Sequence, residues 1–382
     1  MKIGIVCYPT YGGSGVVATE LGKALANKGH QVHFIAYEQP ARLNYFVENI
    51  YFHEVSFSNY PLFAFPPYET ALASKLVDVV KFQKLDILHV HYAIPHASAA
   101  YLAKNILKEQ GIEIPVVTTL HGTDITLVGK DITFSPVVSF SINQSDGVTA
   151  VSESLRQQTY EYFDIHTDIE VIPNFIDLKA FQKLDKDHFK KAIAPQGERI
   201  VMHISNFRKV KRIQDVLDVF YRIHQVMPAK LLLVGDGPER KAAEAQCRDL
   251  NICHDTRFLG KQDAVGELLA IADLFILPSQ NESFGLAALE AMACEVPVIS
   301  SNAGGIPEIN VHGETGFLSE IGDVEDMAKN AISILSNEDT LLQFRKNALD
   351  QARRFDIEAI LPMYEKHYER TIEKVMGRVA VG

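Results

Sequence analysis

The sequence predicts an α/β protein made of two doubly wound parallel sheets in tandem. Three observations predict it. Short runs rich in Val, Ile and Leu alternate with longer amphipathic stretches. The short runs are apolar throughout, as in parallel strands covered by helices on both faces. The alternation also occurs twice, up to residue 151 and again from residue 200, and 382 residues suit two domains.

In the first series, strands are expected at 2–7, 31–36, 50–55, 86–90, 115–119 and 147–151, with helices at 16–29, 70–84 and 96–110. Gly29 is a natural helix stop. In the second, strands are expected at 200–204, 230–234, 256–259, 273–277 and 296–300. The helices there are 212–227, 238–250, 263–271, 284–294 and 323–336. The joining segment, 164–198, carries Pro173-Asn174-Phe175 and a mixed-charge run from Lys179 to Lys191. A final helix over 355–378 is a tail that can cross back to the first lobe. The expected domains are therefore 1–168 with 360–382, and 169–359.

Composition narrows the function. At 47% hydrophobic and 22% charged, the chain can fill two cores. A net charge of −11 gains little from nucleic-acid phosphates, so no nucleic-acid partner is expected. An anionic ligand must be held by a few placed groups against that field. The four cysteines show no CxxC pairing and read as reduced, buried thiols of a cytoplasmic protein. No apolar run reaches the ~18–20 residues of a membrane span. Ile3 to Cys7 is too short for a signal peptide, and Tyr8-Pro9 ends it, so it reads as the first strand.

Four motifs carry chemistry. Gly12-Gly13-Ser14-Gly15 precedes an amphipathic helix, where free N–H groups can meet an anion. Gly13-x-Gly15-x-x-Ala18, with Glu38 further on, also fits a dinucleotide fingerprint, except that Tyr8 to Tyr11 separate it from the strand. Thr118 to Asp124 holds Thr119 and His121 at a strand's carboxyl end, where open α/β sheets bind ligands. Near it, His89 and His91 share one strand face, and Tyr92 points the other way. No carboxylate or cysteine partner accompanies these histidines, so no metal is expected there. In Ser205 to Arg212, four cations fall within five residues and can clamp a leaving diphosphate.

The fourth motif, Pro278 to Ala293, sets Glu282 and Glu290 eight apart around Ser283-Phe284-Gly285-Leu286. The Ser283–Leu286 amides open a helix toward a phosphate. Glu290, about two turns in, is nearly surrounded by apolar residues. A carboxylate buried there needs a partner, and ribose hydroxyls would serve.

Together Glu282-x7-Glu290, Gly235-Asp236-Gly237-Pro238, Gly304-Gly305-x-Pro307-Glu308 and Gly313-x-x-Gly316-Phe317-Leu318 resemble the retaining GT-B glycosyltransferases of family 4 over nearly the whole chain. The resemblance implies two Rossmann-like domains facing a central cleft, with the sugar nucleotide on the second. It assigns donor binding to Gly13, Gly15, Asn206, Arg208, Lys211, Ser283, Phe284, Gly285, Leu286 and Glu290. It assigns catalysis to His121, Arg208, Lys211 and Glu282, with Glu282 orienting sugar hydroxyls and His121 at the sugar's far edge. One departure is that Asn206 stands where these enzymes carry an Arg five residues before the clamp Lys, so Arg208 would supply that charge.

A narrower set is similar to the family-4 subgroup of bacillithiol biosynthesis. It comprises Cys7-Tyr8-Pro9, Gly12 to Gly15, Ala41-Arg42-Leu43-Asn44, Pro66-Pro67-Tyr68, His91 to Ala97, Thr118 to Ile125 and Ser205 to Arg212. That subgroup joins N-acetylglucosamine from UDP-GlcNAc to the hydroxyl of L-malate. The resemblance implies those two partners, with Ser14, Tyr92 and Thr119 at the acceptor, and no cofactor or metal. Arg42 and Lys75 are available cations for malate. The only Asp-x-Asp, Asp185-Lys186-Asp187, falls in the joining segment rather than at a strand end. A UDP-sugar 2-epimerase using His121 and Glu282, and an NAD-binding protein, stay open as alternatives, as does homo-oligomerisation.

Overall fold

The structure is a computed structural model and describes residues 1–379 except 11, 44–45, 58–64, 66 and 184–186. Tyr11, Asn44, Pro66, Asp185 and Lys186, all in motifs named above, lie outside the described residues, as does the side chain of Asp187. Two compact units form: Met1–Phe175 with Ile357–Gly382, and Ile176–Asp356.

The first unit holds β1 (Lys2–Val6), α1 (Gly13–Asn27), β2 (Gln31–Ala36), β3 (Ile50–Glu54), α2 (Tyr68–Gln83), β4 (Ile87–His91), α3 (Ser98–Lys108), β5 (Val116–Leu120), α4 (Ser135–Asn143), β6 (Gly147–Ala150), α5 (Glu153–Tyr162) and β7 (Ile169–Val171). Its sheet is parallel, in the order β3-β2-β1-β4-β5-β6-β7. Val6, Ile35, Leu88, Val90 and Val116 of the strands pack with Leu72, Leu76 and Val80 of α2 and Ala100 and Leu107 of α3. Each such Leu, Ile or Val contributes roughly 1.5–3 kcal/mol by leaving water.

The second unit holds α6 (Asp187–Ile193), β8 (Arg199–Ile204), α7 (Ile213–His224), β9 (Ala229–Val234), α8 (Arg240–Asp249), β10 (Thr256–Gly260), α9 (Val265–Leu269), β11 (Leu274–Leu277), α10 (Leu286–Ala293), β12 (Val298–Ser301), β13 (Gly316–Ser319), α11 (Val324–Leu335) and α12 (Glu338–Ala352). The sheet order is β10-β9-β8-β11-β12-β13. Ile213, Val216, Leu217, Phe220 and Ile223 of α7 repeat at helical spacing and are fully buried against it.

Both orders reverse direction once, at β1/β4 and at β8/β11. Side-by-side strands whose connections leave in opposite directions open a crevice at their carboxyl ends. Every chemistry-bearing motif of the sequence follows one of these strands or its neighbour.

α13 (Ile357–Val379) returns to the first unit. Tyr368 shares a 2.7 Å hydrogen bond with Nδ1 of buried His89, Lys374 donates to the carbonyl of Asp146, and His367 and Arg370 both hold Glu170. Glu170 stands on β7, a three-residue strand that carries the first unit on to Phe175, past the expected boundary at 168. Strand β13 forms where the sequence suggested only a glycine-rich return. Gly316 is required there, because a Cβ would stand 1.8 Å from the Val298 carbonyl oxygen. Cys7, Cys247 and Cys294 are buried, but Cys253 is exposed, against the expectation of buried thiols. No described helix is long and apolar enough to cross a membrane.

Candidate active site

In the second unit, the loop after β8 carries Ser205 to Arg212, and the loop after β11 carries Ser279 to Gly285. Two glycines set the first loop. A Cβ on Gly235, at φ +117°, would stand 1.8 Å from the Ser205 carbonyl oxygen, and one on Gly237 would stand 2.0 Å from that of Asn206. Gly235→Ala is therefore expected to destabilise the second unit by about 2–3 kcal/mol, read by denaturant unfolding. An unchanged midpoint would contradict this packing.

The loop begins on a buried hydrogen-bond chain. His203 bonds the Ile276 carbonyl at 2.8 Å through Nδ1 and the Ser205 hydroxyl at 2.8 Å through Nε2. Burial pushes its pKa down to about 4, so it is neutral. Phe207 turns into the core at φ +39°, which leaves Asn206 and Arg208 exposed on either side. The amide of Gln280 donates to the Val210 carbonyl at 2.8 Å and ties the two loops together.

Across this junction the Lys211 ammonium donates to Oε1 of Glu282, which also accepts from the buried Ser279 hydroxyl at 3.0 Å. Glu282 thus holds the clamp lysine through one carboxylate oxygen. Arg212 pairs with Asp215 at 2.6 Å, at the start of α7. Arg208 has no ion pair among the described residues.

Gly285 adopts φ +95° and delays the helix, so α10 starts at Leu286. Glu290 therefore lies about one turn in, not two. It is 8% exposed, in a helix otherwise of Ala, Leu and Met. Phe284 is buried with its ring against Phe355. Gly304 lies under the Glu282 carbonyl, which accepts the Gly305 amide at 2.9 Å. Ser283 and Leu286 stay half-buried at the open end of α10.

In the first unit, the loops after β1, β4 and β5 meet. Gly13 is the exposed first residue of α1. Gly15 is buried, and a Cβ there would lie 2.3 Å from the Thr10 carbonyl oxygen, so this glycine lets the helix start press on its own loop. The Ser14 and Tyr92 hydroxyls are 2.8 Å apart. Tyr92, at φ +90°, leaves the strand direction, and its ring stands 5.3 Å from His121 and 5.4 Å from Tyr8.

Thr119 does not join them. It is fully buried, with its hydroxyl 2.7 Å from both His89 Nε2 and the Thr149 hydroxyl. Strand alternation turns it inward, so an acceptor contact by this side chain is set aside. Asp124, quoted within its motif but given no role, instead organises the site. Its carboxyl accepts the amides of Ala93 and Gly122 at 3.0 Å and of His121 at 3.3 Å. The signal was legible as an Asp shortly after a Gly, a common turn-capping placement. A cavity of about 660 Å³ opens here, lined by Tyr8, Tyr92, Pro95, Asp124 and Phe134 among others. Neither Arg42 nor Lys75 lines it.

His89, His91 and His96 are fully buried beside it. Burial pushes His89 to about 3 and His96 to about 4, and holds His91 well below its usual range. An unfolded imidazole titrates near 6.5, so below that pH the unfolded chain takes up protons that the fold refuses. This stability is complete above pH 6.5 and lost as the pH falls toward 3–4, on the order of 1 kcal/mol per pH unit for each histidine. Asp124, raised by burial to about 6, acts oppositely between about pH 4 and 6, but it is one group against three. The first unit is expected to melt lower at pH 5.5 than at pH 7.5; an equal or higher midpoint would contradict the neutral cluster.

A family model described as glycosyl transferases group 1 matches residues 185–351, and one described as glycosyltransferase family 4 matches residues 11–180. The chain is 50% identical over 374 residues to the N-acetyl-alpha-D-glucosaminyl L-malate synthase of Bacillus anthracis, covering 96% of each. It is 25% identical to an uncharacterised glycosyltransferase of Methanocaldococcus jannaschii, over 95% of this chain and 96% of that one. The Anabaena protein HepE, solved with UDP and glucose, superposes with a TM-score of 0.81 at 22% identity, over 96% of this chain and 98% of that one. That last likeness speaks for the fold alone. With both halves matched by glycosyltransferase models and nearly its full length aligned at 50% identity, the chain belongs to the glycosyltransferases of family 4, enzymes of the GT-B fold.

Proposed function

We propose that this glycosyltransferase moves N-acetylglucosamine from UDP-GlcNAc to the hydroxyl of L-malate, with retention, as the first step of bacillithiol biosynthesis in the cytoplasm. For the donor half, the observation that carries the reading is the junction in the second unit. There a lysine is held by Glu282 beside the open start of α10, with a buried Glu290 one turn further on. For the acceptor half, the support is the activity that the name of the Bacillus anthracis relative states.

In this reading the uridine ribose hydroxyls bond Glu290. The diphosphate receives Lys211, Arg208, the neighbouring Asn206 and the Ser283–Leu286 amides, and Gly13 and Gly15 at the start of α1 add N–H donors. The C1–O bond to the diphosphate breaks and a bond from C1 to the malate hydroxyl oxygen forms. The hydroxyl proton passes to the departing phosphate oxygen. Malate lies against Ser14 and Tyr92, and His121 stays neutral, its pKa pushed by burial down to about 3, so it acts as a hydrogen-bond partner of the sugar rather than as a cation. No step calls for a metal.

The test incubates the enzyme with UDP-GlcNAc, with and without L-malate, in EDTA, and follows UDP and product mass. UDP and an N-acetylhexosaminyl malate that form only with malate support the proposal. An isomerised sugar nucleotide without malate would point to epimerase chemistry instead, and transfer only to inositol phosphate or a simple sugar would replace malate as acceptor.

A further inference from the structure

His91 makes no contact that the proposed transfer needs, yet it is fully buried and bonded to a residue that does. Its Nδ1 lies 2.8 Å from Nε2 of His121. Its own Nε2 is buried with no partner among the described residues. The rings of His91 and His121 stack at 5.0 Å and 24°, and those of His89 and His91 lie 4.4 Å apart, so neither can turn without moving its neighbour. His96 Nδ1 bonds the His91 carbonyl, and because a carbonyl only accepts, His96 carries its proton on Nδ1.

Two neutral imidazoles that share one hydrogen bond have two possible arrangements. Either His121 donates from Nε2, which obliges His91 to carry its own proton on a buried Nε2 with nothing to receive it. Or His91 donates from Nδ1, which leaves His91 Nε2 a bare lone pair and puts the His121 proton on Nδ1. Buried N–H groups are very rarely orphaned, and unsatisfied acceptors are the more tolerated of the two. His121 itself is half-buried, and its Nδ1 has no partner among the described residues.

We propose that His91 is a positioning residue that locks His121 in the Nδ1–H tautomer, so that His121 offers the bound sugar a hydrogen-bond donor. The proposal rests on the donor reading above for the destination of that N–H. The tautomer itself does not depend on it.

The lock has three consequences. A His121 that could flip its tautomer would present a lone pair to a sugar hydroxyl half of the time and lose its directional preference. Nor can His121 be protonated at Nε2 while His91 points an N–H at that atom, which protects it from charging in mild acid. Finally, the ring is held in place from behind by a side chain that never meets the ligand.

Long-range ¹H–¹⁵N correlation spectra of the enzyme labelled with ¹⁵N-histidine read each tautomer directly. Wild type is expected to show His121 protonated at Nδ1. His91→Leu is expected to give a mixed or Nε2–H His121, and to lower kcat/KM about 10–100-fold while the Kd for UDP stays unchanged. Its acid limb of kcat/KM should move toward neutral pH. In His91→Asn the amide N–H stands near the position of Nδ1 and should recover most of the loss and the original tautomer. A wild-type His121 protonated at Nε2, or a His91→Leu enzyme with the same His121 tautomer and pH profile, would overturn the proposal. If instead His121→Ala transfers sugar normally while the tautomer result stands, the donor reading of His121 fails and the lock survives.

Discussion

Lys211→Ala is expected to lower kcat/KM by about 10²–10³-fold, the equivalent of roughly 3–4 kcal/mol of transition-state stabilisation. The loss has two parts. A positive charge disappears from the place where the leaving diphosphate gathers negative charge. At the same time Glu282, brought to Lys211 from 71 residues away in sequence, keeps its carboxylate there with the Ser279 hydroxyl still donating to it. The vacated carboxylate then repels the group that the lysine attracted. This makes a distinctive pattern for a double-mutant cycle. Glu282→Gln keeps an oxygen for Lys211 and Ser279 and should be mild. Lys211→Ala with Glu282→Gln should be less damaging than the two single losses added together, because the repulsion is gone. The steady-state rates of the four proteins give the answer. A Lys211→Ala enzyme near wild-type kcat/KM would sink the clamp, and strict additivity would sink the Lys211–Glu282 coupling.

The sheets and the motifs were readable from the sequence, because parallel strands announce themselves as short apolar runs and glycines mark where backbones must touch. Gly235, Gly237 and Gly304 each lie under a carbonyl oxygen that any Cβ would strike. What escaped was direction and partnership. Thr119 and His121 are two residues apart in one motif, yet Thr119 faces the interior while His121, past the strand end, faces the site. The pairing of Glu282 with Lys211, far apart in sequence, was not visible in either motif. Gly285 shifted the start of α10 from the expected 284 to Leu286 because its backbone is left-handed, and that brings Glu290 about half a turn nearer the helix start. Strands β7 and β13 are three and four residues long, too short to show a period. Helix α12 had a legible start in Asn337, whose side chain caps the Thr340 amide at 2.9 Å, but its polar face hid the helical stripe.

Glu290→Ala is expected to raise the Kd for UDP about 10–100-fold, measured by calorimetry. A carboxylate that accepts two hydroxyls makes charge-assisted bonds worth about 1.5–3 kcal/mol. The alternative account of Glu290 is internal: at 8% exposure it belongs to the unit's own packing, and its removal could weaken binding by loosening α10. The ligand separates the two accounts. If Glu290 holds the ribose, 2′-deoxy-UDP should bind wild type several-fold more weakly than UDP, and Glu290→Ala should no longer distinguish the two nucleotides. If Glu290 only supports the helix, both nucleotides should weaken by the same factor and the preference for the 2′-hydroxyl should persist. Glu290→Gln sharpens the comparison, since it keeps the volume and one acceptor but drops the charge, and should fall between the other two. The outcome that would refute the ribose role is a Glu290→Ala protein that folds normally and still prefers UDP over 2′-deoxy-UDP as wild type does.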